Sequence, residues 1–159
     1  MRILGIDPGL RTIGIGLIDR AKGRDPVAIE WLTIETEPGL PLAIRLKELA
    51  EDLKKFIDDA KPDLAVVEKL FFATNKRTAM DVSQARGVVV ATLAGSGIEV
   101  MEATPLQLKM AIAGDGKADK KQMQSMVKRT LKLAEVPKPA DAADALALAL
   151  FGAFTWRSR

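Results

Sequence analysis

Arg2-Ile3-Leu4-Gly5-Ile6-Asp7, the turn formers Pro8-Gly9, and Thr12-Ile13-Gly14-Ile15-Gly16-Leu17-Ile18-Asp19 are the stretch on which the fold turns. The first run is apolar, short, and closed by Asp7-Pro8-Gly9, which reads as a buried strand ending in a tight turn. The second run reads as a strand hairpin-paired with the first. Gly14 and Gly16 leave gaps within it, and such gaps predict that another backbone approaches closely. After the polar turn Lys22-Gly23-Arg24-Asp25, Pro26–Ile34 is a third strand.

Beyond this meander the period changes. Leu42, Ile44, Leu46, Leu49, Leu53, Phe56 and Ile57 recur between charged residues, so Leu42–Ala60 is an amphipathic helix. Asp63–Glu68 is a continuous apolar run ending in a carboxylate, the pattern of a central parallel strand. A second long helix covers Lys76–Ala94, and Gly97–Met101 is a fifth strand. A short helix over Pro105–Ala113 is followed by a Gly114-Asp115-Gly116-Lys117 loop and by helices over Asp119–Leu133 and Ala140–Phe154. The order β-β-β-α-β-α-β-α-α-α predicts an α/β protein, with a mixed five-stranded sheet carrying helices on both faces. The expected organisation is one domain over residues 1–155 with a short basic tail, 156–159.

Composition narrows the chemistry. The 159 residues include no cysteine and no histidine, and 48% are hydrophobic. Thiolate nucleophiles, cysteine-rich zinc sites and Ser-His-Asp triads are therefore excluded. An enzyme built from this inventory works with carboxylates, lysines, hydroxyls or a bound metal. No apolar run approaches the ~18 residues of a membrane span, and the N-terminus runs straight into a core strand, so the expectation is a soluble, cytoplasmic protein without membrane contact. The formal charge of +3 is compatible with a polyanionic partner without demanding one.

Four acids stand out by position. Asp7 closes the first strand and Glu68 the fourth, while Asp141 and Asp144 lie three apart at the start of the last helix and so project from one face. Each has an ordinary reading alone, as a turn residue, a solvated strand end or a dipole-stabilised helix start. If the first and fourth strands are neighbours, and the last helix crosses their ends, the four converge. Such a group repels itself unless a cation neutralises it. All-oxygen ligands favour Mg²⁺ or Mn²⁺ over zinc. Two such ions about 4 Å apart are suited to in-line hydrolysis of a phosphodiester.

At this point a family likeness is visible. Gly5-Ile6-Asp7-Pro8-Gly9 with Thr12–Gly16 resembles the opening of RuvC-type Holliday-junction resolvases. So do Val67-Glu68-Lys69-Leu70-Phe71, Gln84-Ala85-Arg86-Gly87, Gly116–Gln122, and Asp141-Ala142-Ala143-Asp144-Ala145, in the same order and spacing over about residues 1–150. The resemblance implies a ribonuclease-H-like fold and a homodimer that resolves four-way DNA junctions by paired symmetric nicks, in recombination and repair alongside a branch-migration helicase. It implies metal ligation by Asp7, Glu68, Asp141 and Asp144 with two Mg²⁺ per site, Mn²⁺ substituting. It further implies junction contacts from Lys109 and Lys120 and base probing by Phe71. Relatives can carry His at the position of Asp141; here the set is all carboxylate.

Read directly, Lys117, Lys120 and Lys121 are either a phosphate clamp or an ordinary solvated face, and Phe71-Phe72 are either both core or a packing Phe72 beside an exposed Phe71 ring that stacks on an opened base. Helix Lys76–Ala94 has apolar residues around more than one face, which suits burial against both the sheet and a second subunit, or wholly within one subunit. Competing functions are a ribonuclease-H-like nuclease for structured RNA or flaps, a non-cleaving junction binder, and an actin-like phosphotransferase. Four acids facing DNA disfavour the binder, and 159 residues leave no room for the second domain that a phosphotransferase needs.

Overall fold

The structure, a computed structural model, describes residues 1–69 and 76–157. Strands β1 (Arg2–Asp7), β2 (Thr12–Asp19) and β3 (Val27–Glu35) are followed by α1 (Leu42–Ala60), β4 (Leu64–Glu68), α2 (Lys76–Gly95), β5 (Glu99–Ala103), α3 (Pro105–Ala113), α4 (Lys120–Thr130) and α5 (Ala140–Thr155). The five strands form one sheet in the order β3-β2-β1-β4-β5. β1 is antiparallel to β2 and parallel to β4; β2–β3 is antiparallel and β4–β5 parallel. The expected mixed sheet is present, and β1 and β4 are neighbours.

Each face of the sheet is covered. α5 lies on one face with α3 and α4 beside it; Ile3, Ile18, Leu64, Val66, Leu146 and Leu150 pack there with negligible exposure. On the other face Leu4, Ile6, Ile15, Leu49, Leu53, Val89 and Leu93 join the sheet to α1 and α2. α5 is buried almost all round from Ala142 to Ala153, because it runs along the centre of its face. Its alanines, with Gly5, Gly14 and Gly16 opposite, let helix and strands approach backbone to backbone. A Cβ on Gly5 would stand 1.9 Å from the carbonyl oxygen of Ala145, and one on Gly16 would stand 2.6 Å from the amide of Leu146. The close approach expected from the strand glycines is thus made by the helix that carries two of the four acids.

Several boundaries shift for local reasons. β3 begins at Val27 because Pro26 has no N–H for the ladder. β5 begins two residues late: Gly97 and Ile98 still donate to the carbonyls of Ala94 and Leu93 and close α2, and Gly97 has φ +73°. The strand then continues to Ala103, opposite Glu68. Asp119 is the cap of α4 rather than its first residue, accepting from the Gln122 amide while the Gln122 side chain accepts from the Asp119 amide. Packing continues past residue 155, since Trp156 rests on the α5 core and its indole N–H donates to Glu99 at 3.3 Å.

Candidate metal centre

Asp7 and Glu68 each stand one residue beyond Ile6 and Val67, the last paired residues of the parallel β1–β4 ladder. Parallel pairing brings both carboxylates to the same edge, the carboxyl end of the two central strands. Asp7 is opposite Gly14 across the hairpin, and above that glycine passes the first turn of α5 with Asp141. Asp144 follows one turn later. Asp7, Asp141 and Asp144 each offer a carboxylate oxygen, with all three atoms within 4.8 Å of one another, a spacing that one cation can span. Glu68 stands outside this triad but borders the same cleft, of about 250 Å³, together with Asp7, Asp144, Lys109 and Lys120 over an apolar floor of Leu108, Met123 and Leu148.

The electrostatics fit a cation site. Burial raises the Asp7 carboxyl to about 7, and Glu68, Asp144 and Asp141 push in the same direction, with Lys120 opposing them. Glu68 is also raised, first by burial and then by Asp144. Lys120, the first residue of α4, donates from Nζ to Asp144 Oδ2 at 3.0 Å, a contact that raises the lysine's own pKa. The donor set is entirely oxygen, so the residues present fit a hard divalent cation such as Mg²⁺ or Mn²⁺.

The lysines separate. Lys109 and Lys120 line the cleft. Lys117 is exposed on the α3–α4 loop, its backbone amide donating to Asp115 Oδ1 at 2.8 Å. Lys121 faces another depression, beside Asp115, Gln122 and Ser125, and is not gathered with the carboxylates. Phe71 and Phe72 lie outside the described residues. α2 buries Ala85, Val89 and Leu93 against α1 and the sheet and leaves Met80, Gln84, Gly87, Ala91 and Ala94 exposed, so it is not buried wholly within this chain.

Two residues act as supports that the sequence reading does not assign. The turn after Asp7 is pinned by Thr36, whose hydroxyl donates to the Leu10 carbonyl at 2.6 Å and accepts from Arg45 Nε at 3.0 Å. Arg86 of α2 donates from Nε to the carbonyl of Glu68 at 3.0 Å.

Known proteins share this sequence pattern and this fold. The family model described as "Crossover junction endodeoxyribonuclease RuvC" matches residues 3–151. A protein of that name from Brevibacillus brevis is 47% identical over 150 residues, covering 94% of this chain and 90% of the relative. One from Chloroflexus aurantiacus is 48% identical over 155 residues, covering 98% and 94%. Among solved structures, Thermus thermophilus RuvC superposes with a TM-score of 0.89 at 33% identity, covering 97% of this chain and 94% of that one. The same Thermus protein in complex with a Holliday junction substrate gives 0.91 at 32% identity, covering 97% and 93%. With these matches spanning nearly the whole chain and a carboxylate cluster at the ends of β1, β4 and α5, the chain belongs to the RuvC family of crossover junction endodeoxyribonucleases.

Proposed function

We propose that this chain is a divalent-metal-dependent endonuclease that resolves four-way DNA junctions in recombination and repair. The observation that carries the reading is the triad of Asp7, Asp141 and Asp144, closed within 4.8 Å, two of whose members, Asp7 and Asp144, line a cleft that also presents Lys109 and Lys120. A site built only to bind DNA would not place four negative charges where a phosphate must lie. The Thermus relative solved with a Holliday junction supports the choice of substrate.

In this reading Asp7, Glu68, Asp141 and Asp144 would together hold two Mg²⁺, and Mn²⁺ would serve in their place. When bound, such ions activate water and stabilise the oxygen that leaves phosphorus. The chain's own residues do the rest. Burial and neighbouring acids push Asp7 and Glu68 toward the protonated form, and as charged carboxylates they would be the ligands that such an ion requires. Lys120 is released from Asp144 and its ammonium turns to the incoming phosphate. Lys109 adds a second positive charge at the rim, with Lys117 further out on its loop. The apolar floor of Leu108, Met123 and Leu148 limits the water around the reacting phosphorus. The water oxygen would bond to phosphorus as the bond to the deoxyribose oxygen breaks, the water's proton passing to solvent and the leaving oxygen taking one from solvent, so that a phosphate monoester and a free hydroxyl result.

Two equivalent strands to cut suit a two-fold dimer. The exposed face of α2, with Gln84, Gly87, Ala91 and Ala94 at helical spacing, is small enough for a second copy of the helix to approach. By family likeness a branch-migration helicase supplies the junction. The test is incubation with a labelled synthetic four-way junction and Mg²⁺, with a plain duplex and an RNA hairpin as controls. Paired nicks near the crossover and intact controls are expected; cutting of the hairpin in preference to the junction would favour a different ribonuclease-H-like nuclease.

A further inference from the structure

Glu68 sits at a strand end among like charges. It ends β4, its side chain is partly exposed, Asp144 repels it, and it in turn repels Asp7. The chain leaves the sheet immediately after it. What fixes the strand end is a fork from α2. Arg86 Nε donates to the Glu68 carbonyl at 3.0 Å, and Arg86 Nη2 pairs with the carboxylate of Glu102 on β5. Glu102 lies opposite Val67 in the β4–β5 ladder, and the Lys69 amide donates to Ala103 at 2.8 Å, so the guanidinium spans the two strands where their pairing ends. Arg86 is mostly covered, with 20% of its side chain exposed, and neither it nor Glu102 lines the carboxylate cleft. It reaches Glu68 through the backbone only, leaving the carboxylate unpaired by it.

We propose that Arg86, held by Glu102, is a positioning residue that locks the peptide plane after Glu68 and keeps its carboxylate turned to the cation site. A peptide plane held by a charge-assisted hydrogen bond fixes the direction in which the side chain leaves the strand, which counters repulsion from the other acids. The fork geometry belongs to arginine, since one ammonium cannot serve a carbonyl and a carboxylate in the same planar arrangement. Residues that orient a metal ligand characteristically contribute about 10–100-fold to metal affinity. This assignment rests on the proposed metal site.

The test titrates Mn²⁺ calorimetrically into the full chain and measures binding of a four-way junction in metal-free buffer across a salt series. For Arg86→Ala the Mn²⁺ dissociation constant should rise about tenfold or more. Arg86→Lys should not restore it, and Glu102→Gln, which leaves the Glu68 contact in place, should shift it in the same direction by less. Junction affinity and its salt slope should match wild type for all three, because an arginine on a phosphate would lower that slope by about one. Unchanged Mn²⁺ affinity in the variants, full rescue by lysine, or a reduced salt slope would each overturn the assignment. Should Arg86→Ala fail to fold, Glu102→Gln alone decides it by the same criterion. A wild-type chain that takes up no Mn²⁺ would instead refute the metal site itself.

Discussion

A Cβ placed on Gly14 would stand 2.0 Å from the carbonyl oxygen of Asp141. The bare backbone of one strand therefore sets the height of the helix that carries two of the four acids. Gly14→Ala must lift the first turn of α5 away from Asp7, which lies directly across the hairpin. We expect a loss of roughly 1–3 kcal/mol in stability from overpacking, and a larger proportional loss of Mg²⁺-supported cleavage. Gly95→Ala is the control: a Cβ there meets nothing within 4 Å, and alanine in a helix is favoured by roughly 0.5–1 kcal/mol. Denaturant melts with parallel junction assays would decide, and a Gly14→Ala chain with full cleavage would show that α5 does not need this contact.

The second prediction concerns pH. Burial and the neighbouring acids raise Asp7 from the ordinary carboxyl range to about 7, so the folded metal-free chain binds a proton there that the unfolded chain has already released. That group's contribution to stability is fully present below about pH 4 and is lost as pH rises through about 7. A divalent ion reverses the balance, because it binds the charged carboxylate. In chelator the melting temperature should fall between pH 5.5 and 8, and the stabilisation given by Mg²⁺ should grow over the same interval. A Mg²⁺ effect that shrinks with rising pH would contradict the assignment. Asp7→Asn should flatten both trends.

The third separates binding from chemistry. Asp7→Asn, Glu68→Gln and Asp144→Asn each remove a ligand together with a negative charge that faces DNA, so each should cut poorly and bind a four-way junction at least as well as wild type. Lys120→Ala should weaken binding and lower the slope of log affinity against log salt by about one. Lys121→Ala should do neither, since Lys121 borders a different depression from the carboxylates. Mobility-shift titrations across a salt series would tell the two lysines apart.

Much of this was legible in the sequence because it is periodic. The apolar alternation of Thr12–Asp19 and the three-to-four spacing of Leu42–Ala60 give the strands and helices, and the strand glycines signal a close backbone approach, though not that α5 makes it. Asp7 and Glu68 could be placed together because parallel neighbours end at one edge. Resolving Lys120 from Lys121 was not possible, since the split follows from a helix that starts at Lys120, after the Asp119 cap, and turns successive side chains about 100° apart. Arg86 was also illegible as a support. Its partner is a backbone carbonyl 18 residues away, and a carbonyl carries no residue-type signature.

The fourth prediction follows from Thr36, the buried polar residue among the described ones that ties the turn after Asp7. Thr36→Val keeps the shape and removes the hydroxyl that donates to Leu10 and accepts from Arg45. We expect about 1–3 kcal/mol lost in denaturant melts, and Thr36→Ser should recover most of it. Equal stability for valine and threonine would mean that Arg45, which also donates to Leu10 at 3.3 Å, and the residue-36 amide, which donates to Arg11 at 3.0 Å, hold the turn without the hydroxyl.

The most direct test assembles the protein on a labelled four-way junction in Ca²⁺, which accepts looser coordination and should permit binding with little turnover, and then adds Mg²⁺. The wild-type complex should release paired nicks only after Mg²⁺ is added, while Asp144→Asn, equally saturated with junction, should stay uncut. Cleavage at the wild-type rate in excess chelator, or by the saturated Asp144→Asn complex, would contradict a mechanism in which these carboxylates hold the catalytic metal.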